Sequence, residues 1–181
     1  NESALLRARV LSGGDWSAMN EATFFAGELA EPSNLTVSEL MYNPPGSSED
    51  LEFIELVNLS GTDTIELGGA KFTEGVQFAF PINTRLAPGG RLLLVSDEEA
   101  FVSHHGPGLP IVGQYDGLLD NSGEQLVIEN STGNVILNFT YNDGSEWPSG
   151  SDGEGYSLVS RDSDLSDALS WRDSDERMGN P

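Results

Sequence analysis

Two glutamates, Glu52 and Glu55, are the first residues of this 181-residue chain whose type and spacing suggest chemistry. A pair of carboxylates can hydrolyse a glycosidic bond when both groups flank it. The stretch 52–58 is rich in apolar and β-branched residues and predicts a β-strand. Residues three apart on a strand point to opposite faces unless a bulge intervenes. We therefore expect each glutamate to bond loop amides or an arginine instead.

Other catalytic patterns are missing from the sequence. His104 and His105 are the only histidines, and adjacent histidines on an extended loop splay apart, with no further ligand at the spacing that zinc requires. The chain has no cysteine, no Gly-x-Ser-x-Gly nucleophile motif and no glycine loop of the phosphate-binding kind. These observations predict that the chain is not an enzyme.

Calcium is the one inorganic ligand that the acidic residues suggest. Asp143, Asp152 and Glu154 lie near the Trp147–Pro148 turn, and carboxylate oxygens are ligands that calcium prefers. The simpler interpretation is a solvated acidic surface. The expectation is no cofactor, with a calcium site at these three residues left open.

Two aromatic residues, Trp147 and Tyr156, could form a binding platform for a sugar or a peptide. Packing against the core or a sheet edge is the alternative, since Tyr156 falls in a predicted strand and Trp147 precedes a proline at a turn. Both interpretations stay open at this point.

The net charge of −22, from 30 acidic and 8 basic side chains, bears on the partners. Such a surface repels phosphate backbones and anionic lipids, which disfavours nucleic-acid binding and membrane association. No stretch is apolar for long enough to span a membrane. The partners that remain are another protein, a neighbouring domain of the same chain or a glycan; the oligomeric state is not predicted.

Short strand signals separated by turns recur from residue 35 onward. The runs 126–129 and 135–137 flank a four-residue hairpin loop, and 91–95 is apolar on both faces, as in a central strand. One helical turn is predicted at 97–103, capped by Ser96 or Asp97, with Phe101 docking on the core. The pattern predicts an all-β sandwich with one short helical turn.

Several segments carry a family resemblance through their order and spacing: the hairpin formed by 38–45 and 52–58, then 69–73, 86–92, 121–126 and 147–158. They include an Asn-Pro-Pro turn at 43–45, a Pro-Gly turn at 88–89 and an Asn-x-Gly-Glu-x-Leu segment at 121–126. Together they resemble the lamin tail domain, an immunoglobulin-like module of nuclear lamins and of many secreted bacterial proteins. Ala70 departs from the family, which usually has tryptophan there.

The resemblance implies three parts in the chain. Residues 1–33 resemble the last strands of a β module that precedes the domain, followed by a linker; 34–160 form the immunoglobulin-fold domain; 161–181 form an acidic C-terminal extension. Thirty residues cannot bury a core of their own. We expect the chain to be a fragment of a longer protein.

The resemblance is to the bacterial, secreted branch, because no heptad-patterned rod and no prenylation motif is present. It implies a non-catalytic accessory module of a larger secreted or cell-surface bacterial protein that mediates protein–protein or domain–domain contacts. The competing hypothesis is a calcium-dependent carbohydrate-binding or adhesion module.

Overall fold

The computed structural model describes residues 3–25, 27–46 and 49–181, and most of its regular structure is β-strand. One α-helix, α1, spans Glu98–His105, and short 3-10 helices span Glu49–Leu51, Ser149–Ser151 and Ala168–Ser170. The strands are, in chain order, β1 Ala4–Ala8, β2 Leu11–Ser12, β3 Asp15–Trp16, β4 Asn20–Phe24, β5 Glu28–Leu29, β6 Leu35–Met41, β7 Phe53–Asn58, β8 Ile65–Glu66, β9 Lys71–Glu74, β10 Arg85–Leu86, β11 Arg91–Val95, β12 Ile111–Gln114, β13 Gln125–Glu129, β14 Val135–Thr140, β15 Leu158–Ser160 and β16 Trp171–Asp173.

The largest sheet contains six strands in the order β12, β11, β7, β6, β15, β16. β6 and β7 form the predicted antiparallel hairpin, with Leu40 opposite Ile54. A three-stranded sheet, β14-β13-β9, supplies the facing layer, and a further one, β10-β8-β5, adds Ile65 and Leu86 to the core. The predicted all-β, immunoglobulin-like sandwich with one short helix is confirmed.

The main core consists of alternate side chains from the two facing sheets, as the pleat of a β-strand requires. Its members include Val37, Leu40, Ile54, Leu56 and Leu94 from the six-stranded sheet and Leu126, Ile128, Leu137 and Phe139 from β13 and β14. Tyr42 and Tyr141 meet at its end, with ring centroids 4.9 Å apart. Val135, at the start of β14, is 47% exposed, whereas Ile136 is buried.

A second apolar cluster covers the opposite face of the six-stranded sheet. Met41, Phe53, Leu93 and Val95 pack there against Phe101 of α1. The Asp97 side chain caps the helix by accepting a hydrogen bond from the Ala100 N–H at 2.8 Å. The predicted helical turn with its docked phenylalanine is therefore present, and β11 is covered on both faces as its sequence indicated.

The N-terminal segment forms a long hairpin that projects from the domain. β1 pairs with β4, β2 pairs with β3, and every residue from 4 to 24 is exposed. Trp16 ends β3 and Asn20 begins β4. After the hairpin, β5 pairs in parallel with β8 and Ala30 enters the core. The chain thus joins the domain before residue 34.

The C-terminal segment also belongs to the folded domain. β16 is the last strand of the six-stranded sheet, and Leu165 and Trp171 are buried in the main core. The Trp171 indole N–H donates to the Leu165 carbonyl at 2.8 Å. The main core therefore continues past residue 160. The expected acidic extension at 161–181 contains two large apolar side chains, Leu165 and Trp171, and these pack into the core.

Candidate functional site

Four glutamates are buried within the described residues, each at most 4% exposed: Glu39, Glu52, Glu55 and Glu66. Burying a carboxylate costs free energy unless hydrogen bonds or an opposite charge compensate it. The partners of these four side chains therefore decide what chemistry they can perform.

Glu52 immediately precedes β7 and is fully buried. Its Oε2 accepts hydrogen bonds from the Tyr115 hydroxyl at 3.1 Å and from the Leu119 backbone N–H at 2.9 Å. Its Oε1 is buried and has no partner among the described residues. Burial raises the pKa of Glu52 to about 7, although the two hydrogen bonds oppose the shift. The expected bond to a loop amide is present.

Glu55 points to the other face of the six-stranded sheet, as the strand geometry predicted. Its Oε1 accepts a hydrogen bond from Ser38 Oγ at 2.5 Å and pairs with the Arg91 guanidinium. Glu52 and Glu55 consequently do not converge, and Glu55 has the expected arginine partner.

Glu39 is the neighbour of Glu55 across β6 and β7, where the two residues are register partners at a β-bulge. Its Oε1 accepts hydrogen bonds from Ser157 Oγ and from the Asn180 N–H at 2.9 Å. Burial raises the pKa of Glu39 above its ordinary value; the two hydrogen bonds oppose this shift, and the nearby Glu55 adds to it. The C-terminal segment thus covers one side of this carboxylate.

Glu66 fastens the N-terminal segment to the domain. It accepts hydrogen bonds from Ser3 Oγ at 2.7 Å and from the Gly68 N–H at 3.0 Å, and the Arg85 Nε lies 3.4 Å away. These contacts satisfy the carboxylate within the fold.

Strand register aligns polar residues on the outer face of the six-stranded sheet. One row contains Leu93, Glu55, Glu39, Val159 and Arg172 on five successive strands. The adjacent row contains Thr36, Val57 and Arg91. α1 packs over the apolar end of this face, so its polar end remains available to form a site.

A cleft of about 770 Å³ lies beside this polar end. Its floor includes Thr36, Val57 and Arg91, and its far wall consists of residues 136–138 of β14 and 161–165. The cleft exists because β15 pairs with β6 only at Leu40 and Glu39 and the chain then leaves the sheet after Ser160. Within the described residues, 35–37 of β6 therefore have β7 as a strand partner on one side only.

Arginines are concentrated around the cleft. Arg91, Arg161 and Arg172 line it, although the chain has only eight basic side chains. Arg91 pairs with Glu55, and Arg172 lies 3.3 Å from an Asp175 carboxylate oxygen. The Arg161 side chain is exposed and has no hydrogen-bond or ion-pair partner among the described residues. The lining also contains the acidic residues Glu39, Asp162 and Asp164, so the arginines do not make the cleft a basic site.

The structure does not gather the residues predicted for calcium. Asp152 accepts a hydrogen bond from Asn43 Nδ2 at 2.8 Å, and the Glu154 carbonyl accepts one from Arg177 Nη2 at 2.8 Å. Asp143 is exposed in the loop after β14. Within the described ranges no three His, Asp or Glu side chains are grouped to hold a metal ion. The calcium site at Asp143, Asp152 and Glu154 stays a prediction that this geometry does not support.

The predicted aromatic platform is divided between separate environments. Trp147 packs on the main core, with its ring centroid 6.4 Å from that of Trp171. Tyr156 is half-buried before β15, and no ring contact between it and Trp147 occurs in the described part of the chain. Trp147 thus packs against the core, which was the alternative to a binding role. A binding platform of Trp147 and Tyr156 remains a prediction.

His104 and His105 end α1 instead of lying in a loop. The His105 ring stacks near Phe101, with centroids 4.4 Å apart, and burial lowers the pKa of His105 to about 4. His104 is exposed. This pair is consistent with a structural role for His105 against the second apolar cluster.

Sequence reasoning missed the Glu39–Glu55 pair and the arginines of the cleft. The signal for Glu39 was its place beside Leu40 and Met41 in a strand, where a buried charge needs a partner. Arg161 and Arg172 gave no such signal. They line the same cleft as Arg91 because β15 and β16 belong to the same sheet, and local sequence does not reveal that sheet order.

The fold defines an immunoglobulin-like β-sandwich domain with a cleft beside one strand edge. A family model described as the lamin tail domain matches residues 29–143, so the chain belongs to the lamin tail domain family. Domains of this family have an immunoglobulin-like fold and are not known as catalytic. Membership therefore suggests that the chain is an interaction domain. No curated protein and no solved structure matches the chain. Within the described residues no helix is long and apolar enough to cross a membrane.

Proposed function

We propose that this chain is a non-catalytic accessory module of a larger secreted or cell-surface bacterial protein, where it contacts another protein or a neighbouring domain. The family assignment supports an interaction role. The secreted bacterial setting rests on the sequence resemblance to that branch of the family.

The observation that carries the proposal is the bonding of the buried carboxylates. Glu52, Glu55 and Glu66 each accept hydrogen bonds from groups of the fold, and Glu39 is held by Ser157 and Asn180. General acid–base catalysis needs a carboxyl group within hydrogen-bond reach of a reacting atom. In this domain the buried carboxylates bind groups of the sheet and of its connecting segments.

Glu39 offers the sharpest test, because it lines the cleft, has a raised pKa and lies beside a second carboxylate. The protein is incubated with chromogenic glycoside, ester and phosphoester substrates, alongside Glu39→Gln and the exposed control Glu98→Gln. We expect no turnover above the buffer rate by any of the three. Turnover that Glu39→Gln abolishes and Glu98→Gln preserves would refute the proposal.

A further inference from the structure

We propose that two copies of the chain associate through their projecting hairpins, which pack against each other by one uncharged face. The projecting hairpin consists of residues 4–24, from the start of β1 to the end of β4. This self-association goes beyond the proposed function, which concerns a different protein or a neighbouring domain.

The first argument is the concentration of exposed apolar side chains in the hairpin. More than half of the large apolar side chains that are exposed in the described residues lie there, namely Leu5, Leu6, Val10, Leu11, Trp16, Met19 and Phe24. Contiguous exposed apolar surface marks an interaction site. A two-stranded hairpin is also marginally stable by itself, so a second layer packed on it would stabilise it.

The second argument is that strand register separates the apolar residues from the charged ones. Residues directly opposite each other on β1 and β4 share a face. One face, called the uncharged face here, consists of the pairs Ala4–Phe24, Leu6–Ala22 and Ala8–Asn20. The opposite face carries the salt bridge from Arg7 Nε to Glu21 Oε1, at 2.8 Å. The uncharged face can therefore be removed from water without burying a charge.

The third argument is charge, and it favours a second copy as the partner. Arg7 and Arg9 balance Asp15 and Glu21, so the hairpin has no net charge and the charge of −22 belongs to the other residues. Two copies therefore meet the least repulsion at their hairpins. A two-fold axis there lets the same face serve both copies.

The length of the hairpin keeps the two acidic domains apart. Residues 4–12 extend for roughly 30 Å at a rise of about 3.3 Å per residue. When two hairpins pack antiparallel, the domains lie at opposite ends, separated by about this distance. The Debye length is about 8 Å at 0.15 M salt and about 30 Å at 0.01 M. Repulsion between the domains is therefore screened at physiological salt and acts only at low salt.

The size of the uncharged face sets the strength of the association. Two strands about 4.8 Å apart give a face roughly 10 Å wide with its side chains. Two such faces of roughly 30 Å by 10 Å bury on the order of 600 Å² in total, below the roughly 1,200 Å² of stable interfaces. The dimer is therefore weak and depends on protein concentration.

The test is sedimentation velocity of the full chain from about 1 μM to about 1 mM, at about 0.01 M and about 0.15 M NaCl. Leu6→Asp places a carboxylate on the uncharged face. Leu5→Asp is the matched control, because it makes the same change at the adjacent residue on the opposite face. Both leucines are exposed, so neither change disturbs a core.

Cross-linking provides a second measurement that does not add a charge. The chain has no cysteine, so Ala22→Cys and Thr23→Cys each introduce a single thiol, the first on the uncharged face and the second on the opposite face. Packed sheets lie about 10 Å apart, which a bismaleimide linker of about that length spans. The linker should join two copies of Ala22→Cys and leave Thr23→Cys monomeric.

We expect a monomer–dimer equilibrium that becomes several-fold tighter between the lower and the higher salt concentration, because repulsion between the domains is screened. Leu6→Asp should weaken the dimer at least about tenfold and Leu5→Asp less than about threefold, since only the first change buries carboxylates at the contact.

Four results would overturn the proposal. They are a monomer at every concentration, an association that salt weakens, an equal loss in Leu5→Asp and Leu6→Asp, and cross-linking of Thr23→Cys that equals or exceeds that of Ala22→Cys. A monomer at every concentration would leave the uncharged face to a different protein. Each of these results leaves the proposed function intact, because that function fails only if the turnover assay detects catalysis dependent on Glu39.

Discussion

At the residue scale, the buried carboxylates differ in how well the fold compensates them. Glu55 has a serine hydroxyl and the Arg91 guanidinium, whereas Glu52 has two hydrogen bonds on Oε2 and none on Oε1. An uncompensated buried oxygen favours the protonated acid. The free energy of unfolding should therefore depend on pH through Glu52.

The sign follows from the two pKa values of Glu52. The ordinary value is 4.5, and in the folded protein it is about 7. Between these values the folded state binds more protons than the unfolded state, so the contribution of Glu52 to stability is full below about pH 4.5 and is lost as the pH rises to about 7.

We predict that Glu52→Gln removes this loss. A glutamine oxygen can still accept from Tyr115 and Leu119, and the amide does not ionise. At pH 8 the variant should be more stable than the parent by up to about 3 kcal/mol, and at pH 4.5 the two should be nearly equal. Urea unfolding at both pH values measures this. The exposed Glu74→Gln is the control, and an equal effect at both pH values would contradict the prediction.

At the element scale, α1 shields one end of the outer face of the six-stranded sheet. Its packing depends on Phe101, which is fully buried against Met41, Phe53, Leu93 and Val95. Phe101 and Phe53 meet edge to face, with centroids 5.5 Å apart. Without this ring, a row of apolar side chains would be exposed to water.

We predict that Phe101→Ala destabilises the domain by about 3–5 kcal/mol through lost burial and the resulting cavity. The nearby exposed residue Ser103, changed to alanine, should alter stability by less than about 0.5 kcal/mol. Chemical denaturation of the two variants provides the measurement. A small effect of Phe101→Ala would mean that the second apolar cluster does not contribute to global stability.

The projecting hairpin is the other element whose contribution can be tested. A two-stranded hairpin is marginally stable by itself, and residues 4–24 are all exposed. Its links to the domain lie at its ends, such as the Ser3–Glu66 hydrogen bond. The domain should therefore fold without it.

We predict that a chain beginning at Gly27 loses no more than about 1–2 kcal/mol, the value of a few hydrogen bonds at the junction. A chain beginning at Glu31 should lose more, because β5 and the buried Ala30 are then also removed. Thermal unfolding of both chains checks this. Loss of cooperative unfolding in the first chain would show that the hairpin is part of the core structure.

At the scale of the whole molecule, charge opposes compaction. A net charge of −22 on a folded domain produces self-repulsion that the unfolded chain partly relieves. Salt screens this repulsion, since the Debye length falls from about 30 Å at 0.01 M to about 8 Å at 0.15 M.

We predict that Tm at pH 8 rises by several degrees when NaCl is raised from about 0.01 M to about 0.15 M. The same step close to the sequence pI of about 4.1 should change Tm much less, because little net charge remains. Differential scanning calorimetry at the two pH values measures both effects. A salt response that is equal at both would contradict the electrostatic explanation.

The sequence by itself determined the sandwich, its opening hairpin and the helix after β11. These features depend on local patterns, such as the alternation in β6 and β7 and the capping aspartate of α1, which short stretches of chain encode. Local strand geometry also placed Glu52 and Glu55 on opposite faces.

Only the tertiary structure decided where a cleft forms. The cleft depends on how far β15 pairs along β6 and on where 161–165 crosses to β14, and both follow from contacts between distant segments. Arg91, Arg161 and Arg172 are far apart in sequence and meet through sheet order. Local patterns carry no information about strand order, because that order is fixed by the burial of all apolar faces together.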